Sequence, residues 1–193
     1  MTKRAQAMLA QMDRATARWV LPIIGREKGR FVARLIARER PTRALEIGSL
    51  IGYSTILIAA SLPPGGRLVS IEVSPYLARI TERNVEAAGL GPRRQRRGEG
   101  RVRVIAGDAR RVIPLLRQRF DFVLIDAAKQ EYLDYLRALE PRLKRGALVI
   151  ADNTKIYRRE LRRYLSRART SGRYASREQD FGKDAMEVSR FLG

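Results

Sequence analysis

The sequence predicts a doubly wound α/β fold, in which a mostly parallel sheet carries helices on both faces. From residue 43 onward, short strands that are apolar throughout alternate with amphipathic segments. Such strands are typical of parallel sheets covered on both faces. The chain has 193 residues, of which 45% are hydrophobic, and this suits one domain with a substantial core. We therefore expect a single domain over 1–193, with an N-terminal helical cap at 1–42 and an α/β core at 43–193.

The elements of this fold follow one another along the chain. Apolar periodicity indicates two N-terminal helices, separated near Pro22 and Gly25 and ended before Pro41. Five strands and four helices then alternate, and the second of these helices opens with Ser74 as its N-cap and Pro75 in its first turn. The predicted strands are 43–48, 67–73, 101–107, 120–127 and 146–153, and the predicted helices between them are 53–62, 74–90, 108–118 and 131–143.

The C-terminal part departs from this alternation. Residues 156–172 predict a basic helix, and residues 185–192 alternate in polarity like a final strand. The segment before that strand is rich in turn residues and predicts no helix, so the strand can lie antiparallel to the others. The arginine-rich stretch 89–101 predicts a protruding loop before the third strand.

Composition excludes several kinds of chemistry. The chain has no cysteine and no histidine, so acid–base work falls to carboxylates, lysine or tyrosine. Its net charge is +20, and this suits either an arginine-rich solvated surface or contact with a polyanion. No apolar run approaches membrane-spanning length and no signal-peptide core is present, so we expect a soluble, cytoplasmic protein without a membrane partner.

The segment EIGSLIGYS predicts a nucleotide site at the end of the first strand. Gly48 and Gly52 allow a tight turn close to a ligand, at the edge where open α/β sheets bind their ligands. Glu72 ends the second strand, where a carboxylate can accept hydrogen bonds from ribose hydroxyls. Glu46 would repel a phosphate, so a cationic nucleoside such as S-adenosylmethionine suits the loop better. Asp108, after the third strand, adds a polar group that can reach the adenine.

Strands four and five end in oxygen ligands. Asp126 follows the fourth strand, and Asp152 and Asn153 follow the fifth. If these strands are neighbours, the three side chains converge at one edge of the sheet and suit Mg²⁺ or another hard divalent cation. Lys129 lies three residues after Asp126, and an ammonium beside a cation is destabilised. We therefore expect Lys129 to take a proton from an acceptor hydroxyl as the general base.

Five segments together resemble the catechol O-methyltransferase and caffeoyl-CoA O-methyltransferase family of S-adenosylmethionine-dependent enzymes. They are LEIGSLIGYSTILIA, LVSIEVSPYLARIT, VIAGDARRVIPLL, DFVLIDAAKQEYL and LVIADN, and the resemblance covers roughly residues 20 to 155. It implies a Rossmann-like, seven-stranded sheet with an antiparallel last strand. It also implies direct transfer of a methyl group from S-adenosylmethionine to an acceptor oxygen.

The resemblance implies a role for each matching residue. Cofactor binding would fall to Ile24, Glu46, Gly48, Gly52, Tyr53 and Ser54 around the methionine part, to Glu72 at the ribose, to Asp108 and Ala109 at the adenine, and to Asp126. The metal ligands would be Asp126, Asp152 and Asn153, with Lys129 as the base. The sequence departs from the animal catechol enzymes at Ala127 and Ala128, and a carboxylate for a second catechol oxygen has only Glu178 and Asp180 as approximate candidates.

The identity of the acceptor stays open between three hypotheses. A small molecule with vicinal hydroxyls is the first, and a hydroxylated uridine of transfer RNA is the second, because the basic stretches can contact phosphates. A non-catalytic RNA-binding module on a methyltransferase scaffold is the third, and the intact set of site residues argues against it. The apolar face of the N-terminal helices either covers the active site or forms the interface of a homodimer.

Overall fold

The structure, a computed structural model, describes residues 1–19, 21–91 and 101–193. Strands and helices alternate through most of the described chain. The strands are β1 (Arg43–Ile47), β2 (Arg67–Glu72), β3 (Val102–Ala106), β4 (Phe120–Ile125), β5 (Leu143–Ala151), β6 (Tyr174–Asp180) and β7 (Ala185–Phe191). The helices are α1 (Lys3–Trp19), α2 (Gly25–Glu39), α3 (Tyr53–Ser61), α4 (Pro75–Ala87), α5 (Ala109–Val112), α6 (Tyr132–Leu139) and α7 (Arg162–Thr170).

The strands form one seven-stranded sheet in the order β3-β2-β1-β4-β5-β7-β6. Strands β1 to β5 are parallel to one another, whereas β7 pairs antiparallel with both β5 and β6. The strand order reverses between β1 and β4, and open α/β sheets bind their ligands at the carboxyl ends of the strands at such a point. The predicted fold class, with its antiparallel last strand, is confirmed.

Helices cover both faces of the sheet, and this explains why consecutive residues in the middle of the parallel strands are mostly apolar. In β4, Phe122 and Leu124 belong to the core layer under α1, α2 and α3. The neighbouring Val123 and Ile125 belong to the core layer under α5, α6 and α7. Successive side chains of a strand point to opposite faces, so a strand covered on both sides buries consecutive residues, and most of these are apolar.

The apolar face of α1 packs into the hydrophobic core of the same chain. Ala5, Leu9 and Met12 are buried and belong to the same core layer as α2 and α3. Their spacing of three and four residues places them on one face of the helix. The homodimer predicted from this face stays a prediction. None of the described helices combines the length and the apolar character needed to cross a membrane.

The C-terminal region corrects the sequence prediction in two places. The supposed turn-rich segment contains β6, which pairs with β7 along its whole length. It is the edge strand of the sheet and is mostly exposed, so it carries too few apolar residues to be recognised. The basic helix begins only at Arg162, because the residues from Thr154 to Leu161 form turns. The first of these residues is tied to β7, since the Thr154 amide donates to the Ala185 carbonyl at 2.9 Å.

Two other helices are shorter than predicted, and each ends near a proline. The helix predicted over 108–118 is the single turn α5 followed by a 3₁₀ turn that contains Pro114. The helix predicted over 131–143 ends as α6 at Leu139, before a 3₁₀ turn that contains Pro141. A proline lacks the backbone donor that continues a helix. Most of the predicted loop at 89–101 lies outside the described residues.

Candidate active site

A cavity of about 620 Å³ opens at the carboxyl ends of the central strands, at the point where the strand order reverses. This volume lies within the range typical of small-molecule sites. The sequence-predicted residues Ile24, Gly48, Tyr53, Ser54, Glu72, Asp108, Ala109, Asp126, Lys129, Asp152 and Asn153 all line it. Glu46 and Gly52 are not among its lining residues. The sequence therefore located the cavity through segments that are distant in the chain.

The loop after β1 needs both of its glycines. Gly48 has a φ of +91°, and a side chain there would clash with the backbone carbonyl of Asp126 on the neighbouring strand. Gly52 has a φ of +90° and its amide closes a turn on the Ser49 carbonyl, 2.7 Å away, directly before α3. It packs against Thr81 of α4. The two glycines thus bring the backbone to the cavity from one side and to α4 from the other.

Glu72 organises the loop after β1 as well as facing the cavity. Its Oε2 accepts hydrogen bonds from the amides of Ser49 and Leu50, at 3.0 and 2.9 Å. Its Oε1 accepts one from the Ser74 amide at 3.0 Å. A carboxylate has about four acceptor positions, so Oε1 retains one for a ligand hydroxyl. Glu72 therefore has one acceptor position left for the predicted contact with a ribose hydroxyl.

Glu46 lies directly behind the cavity and is fully buried. Its Oε2 accepts hydrogen bonds from the hydroxyls of Thr55 and Ser70, at 2.5 and 2.6 Å. Burial raises the pKa of Glu46 to about 7, although hydrogen bonds from Ser54, Ser70 and Thr55 act in the opposite direction. This carboxyl group therefore titrates near neutral pH, and it holds the strand β1 to the start of α3.

Asp108 lines the cavity, but its carboxylate is already bonded to Arg110. Its carboxylate caps α5 by accepting from the Arg110 amide at 2.9 Å, and it pairs with the Arg110 guanidinium at 2.7 Å. Hydrogen bonds from Arg110 lower the pKa of Asp108. Arg110 also lies 3.2 Å from Glu131 and lines the cavity. Arg110 could not be predicted from the sequence, since one arginine among so many carries no signal.

A chain of polar contacts joins the ends of β4 and β5. Lys129 Nζ donates to Asp126 Oδ1 and to the Tyr132 hydroxyl, both at 2.8 Å. The Tyr132 hydroxyl donates to the Asp152 carbonyl at 3.3 Å. Burial, and then the charges of Asp126 and Asp152, raise the pKa of Tyr132 well above its ordinary value. Tyr132 therefore stays a neutral hydroxyl that fixes Lys129 against Asp126.

A second lysine reaches the site from α2. Lys28 Nζ lies 2.5 Å from Asp152 Oδ1 and 2.5 Å from Asp184 Oδ2. Asn153 donates its side-chain amide to the same Asp184 oxygen at 2.8 Å. Lys28 and Asp184 could not be predicted from the sequence, because neither belongs to a motif and they lie 156 positions apart.

The side-chain oxygens at the ends of β4 and β5 suit a divalent cation. Burial and then the charge of Asp126 raise the pKa of Asp152, whereas Lys28 lowers it, and the net result is a pKa of about 6. A cation beside Asp152 would stabilise its ionised form. Asn153, at a φ of +62°, adds an amide beside them. Among the described residues, no three His, Cys, Asp or Glu side chains cluster as a metal site, so water and acceptor oxygens would complete the coordination.

The two carboxylates considered for a second acceptor oxygen lie elsewhere. Glu178 pairs with Arg158 at 2.8 Å and with Arg169 at 2.9 Å. Asp180 pairs with Lys155 at 3.1 Å on the surface. Neither lines the cavity, so this expectation is wrong. Both residues belong to the edge strand β6, which the sequence analysis did not recognise.

The cavity has an apolar rim near Lys129. Ile156 and Tyr157 line it and are 58% and 40% exposed, which is high for side chains of this size. The Tyr157 ring stands 5.7 Å from Lys129 Nζ. A flat apolar group entering the cavity would therefore contact Tyr157 beside the Lys129 ammonium.

Comparison with known proteins identifies the family. The family model described as O-methyltransferase matches residues 2–159. Transmembrane O-methyltransferase of Homo sapiens is 37% identical over 161 residues, which cover 80% of this chain and 52% of that protein. Catechol O-methyltransferase of Bos taurus is 34% identical over 157 residues, which cover 77% of this chain and 54% of that protein. The chain spans about half the length of the curated relatives it matches.

Solved structures extend the likeness over nearly the whole chain. An O-methyltransferase from Bacillus cereus in complex with SAH has a TM-score of 0.83 and 26% identity, and covers 96% of this chain and 90% of its own. TomG from Streptomyces achromogenes, an O-methyltransferase involved in tomaymycin synthesis and solved with SAM, has a TM-score of 0.80 and 25% identity at the same coverage. With the sheet topology, the cavity and the family match all in agreement, the chain belongs to the O-methyltransferase family.

Proposed function

We propose that the protein transfers the methyl group of S-adenosylmethionine to an oxygen of a small acceptor with vicinal hydroxyls, aided by a divalent cation. The observation that carries this proposal is the contact of Lys129 with Asp126 at the floor of the cavity, next to the loop after β1. The Bacillus cereus and Streptomyces relatives were solved with SAH and SAM, and the bovine relative is named for catechol. These names support the cofactor and the class of acceptor.

The cofactor would lie along the carboxyl ends of β1, β2 and β4. Glu72 holds the loop after β1 in place and offers its remaining acceptor position to a ribose hydroxyl. Tyr53 and Ser54 line the cavity at the start of α3 and would contact the methionine part. Gly48 lets the loop pass directly beside the Asp126 carbonyl. Positioning the two reactants in one cavity would provide much of the rate enhancement.

The acceptor would enter between the apolar rim at Ile156 and Tyr157 and the charged side chains at the ends of β4 and β5. Asp126, Asp152 and Asn153 would hold Mg²⁺ or a similar cation, which when bound makes the acceptor hydroxyl more acidic. Lys129 would take the hydroxyl proton after losing its own, while Tyr132 and Asp126 keep its nitrogen in place. Tyr157 would contact the face of the acceptor and help to exclude water.

Calorimetric titration tests this proposal directly. S-adenosylmethionine, MgCl₂ and catechol are added in turn to the purified protein. We expect the cofactor to bind first, and catechol to bind only once Mg²⁺ is present. The Asp126→Ala variant should bind the cofactor measurably but lose both methyl transfer and the metal dependence. The matched control is Asp134→Ala, which removes an exposed carboxylate of α6.

Each failure has a separate meaning. Turnover retained by Asp126→Ala would overturn the assigned role of this residue. Cofactor binding without catechol binding would point to a larger acceptor. A complete failure to bind the cofactor would favour a non-catalytic module on the same fold.

An RNA acceptor is the second candidate function, and a groove between α6 and α7 favours it. Arg137, Arg162, Arg163 and Arg167 line this groove together with Leu133 and Ser166. Arg167 is bound to Glu140, whereas no ionic partner faces the other three arginines within the described chain. Arg162 and Arg163 follow the turns that begin at the cavity rim with Ile156 and Tyr157. An RNA strand whose phosphates bind along this groove would be directed toward the mouth of the cavity.

Salt dependence distinguishes the two candidates. If RNA is the acceptor, affinity for transfer RNA should fall steeply with salt concentration, and the Arg162→Glu/Arg163→Glu variant should lower the slope of log K against log[salt] by about 2. The control variant Arg79→Glu/Arg83→Glu changes the net charge equally on the exposed face of α4. Equal losses in both variants, or flat binding at physiological salt, would favour the small acceptor.

A further inference from the structure

Asn153 can serve as a cation ligand only if its side-chain amide has the correct end toward the cation. Its oxygen is a metal ligand, whereas its nitrogen is a hydrogen-bond donor that would repel a cation. A rotation of 180° about the last bond of the side chain exchanges the two ends. Asn153 lines the cavity, so some neighbour must select the orientation.

Asp184 is the neighbour that makes this selection. Its Oδ2 lies 2.8 Å from the side-chain nitrogen of Asn153. An ionised carboxylate only accepts hydrogen bonds, so the amide must turn its nitrogen toward Asp184 and its oxygen away. The orientation therefore follows from chemistry rather than from the placement of one atom.

Lys28 holds Asp184 in place. Its ammonium lies 2.5 Å from Asp184 Oδ2 and bridges to Asp152 Oδ1 at the same distance. The side chain of Lys28 is only 12% exposed, so water weakens this bridge little. The other oxygen of Asp184 accepts from the Ile156 amide at 3.2 Å, and this fixes the plane of the carboxylate.

We propose that Asp184, anchored by Lys28, is a positioning residue that turns the oxygen of Asn153 toward the cation. This inference rests on the proposed function, because it assumes the cation site at Asp126, Asp152 and Asn153. Asp184 makes no direct contact with the cation. It acts through the amide of Asn153, in the way that outer hydrogen-bond partners orient the ligands of other metal sites.

Calorimetric titration of MgCl₂ into the protein tests the role of Asp184 without any need for turnover. We expect Asp184→Ala to weaken Mg²⁺ binding by about 10- to 100-fold. Asp184→Asn should also weaken it, because a neutral amide no longer dictates which end of Asn153 faces it. Asp180→Ala is the matched control, since Asp180 is a lysine-paired carboxylate of the same hairpin on the surface. It should bind Mg²⁺ like the unmodified protein.

A double-mutant cycle separates positioning from a general structural role. Asn153→Gly removes the ligand oxygen, and glycine tolerates the left-handed φ at this position. If Asp184 acts through Asn153, then Asp184→Ala should cost almost nothing further in the Asn153→Gly background. The affinity for S-adenosylmethionine should stay the same in all four proteins, which confirms that each is folded.

Three results would contradict the inference or its basis. Normal Mg²⁺ affinity in Asp184→Ala would overturn the positioning role. The same fold-loss in both backgrounds would also overturn it, because Asp184 would then act independently of Asn153. Failure of the unmodified protein to bind Mg²⁺ would instead remove the metal site itself, and with it that part of the proposed function.

Discussion

The two sides of the cavity are built in different ways. We propose that the side at the loop after β1 binds the cofactor, and that the side at the ends of β4 and β5 binds the acceptor. On the cofactor side, Glu72 fixes the loop after β1 through backbone amides 22 and 23 positions away. On the acceptor side, Lys28 reaches Asp152 and Asp184 across 124 and 156 positions. One side is held by backbone hydrogen bonds within a short segment, and the other by charged side chains that only the complete fold brings together. Cofactor binding and acceptor chemistry should therefore respond separately to substitution.

Gly48 is the point where the two sides touch, so changing it should have the largest effect. An alanine at this position would collide with the carbonyl of Asp126. We expect Gly48→Ala to lose cofactor binding and methyl transfer together. We also expect it to lower the free energy of unfolding by about 1–3 kcal/mol more than its control does. Calorimetry and urea denaturation measure both effects.

Gly65→Ala is the control for this substitution. Gly65 also has a positive φ, of +78°, but in the described part of the chain no atom beyond its two neighbours in sequence lies within 4 Å of an added Cβ. It therefore reports the cost of the backbone conformation alone. Equal destabilisation by the two substitutions would show that the approach of Gly48 to β4 is unimportant.

Substitution of Lys129 tests whether methyl transfer can be lost without a loss of cofactor binding. Lys129→Met should lower kcat by about 10²- to 10⁴-fold, because the proton acceptor is lost. The affinity for S-adenosylmethionine should change little, because Lys129 bonds to Asp126 and Tyr132 rather than to the loop after β1. Lys144→Met removes an exposed lysine bound to Asp121 and should leave kcat unchanged. A parallel fall in cofactor affinity would contradict the separation of the two sides.

Substitution of Glu46 should change how the free energy of unfolding depends on pH. Its pKa in the folded protein, about 7, lies above its ordinary value. Between about pH 5 and 7 the folded state therefore binds more protons than the unfolded state, and stability falls as the pH rises. Glu46→Gln removes this decline, which we expect to be on the order of 2–3 kcal/mol.

The comparison of two curves isolates the contribution of Glu46. Urea denaturation between pH 5 and 8 gives the free energy of unfolding for the protein and for Glu46→Gln. The difference between the two should widen in favour of the variant as the pH rises. Glu82→Gln, on the exposed face of α4, should run parallel to the unmodified protein. Parallel curves for Glu46→Gln would show that Glu46 does not titrate in this range.

Local patterns were sufficient to predict most of the fold. The parallel strands are mostly apolar on both faces because both faces are covered, and this signal is independent of tertiary detail. The N-cap predicted at Ser74 is confirmed, since its hydroxyl accepts from the Leu77 amide at 3.3 Å. Strand β6 was missed because an edge strand with exposed, polar residues lacks that pattern.

The site was predictable only where its residues follow strand ends. Asp126, Asp152 and Asn153 end adjacent parallel strands, so topology alone brings them to one edge. Lys28 and Asp184 come from a helix and a hairpin turn whose packing no local pattern encodes. Glu178 and Asp180 were chosen for their charge and position in the chain, and the register of β6 places them on surface ion pairs instead.

The bridge from Lys28 to Asp184 has a consequence for the order in which the molecule is assembled. Asp184 lies just before β7, which is inserted between β5 and β6. During synthesis, β1, α3 and β2 leave the ribosome long before Asp184 is added, although a domain generally folds as a unit. The contacts of Glu72 with the loop after β1 need only a short segment of the chain, whereas the ion pair of Lys28 with Asp184 joins residues 156 positions apart. This ion pair can therefore form only after β1 to β6 have been synthesised.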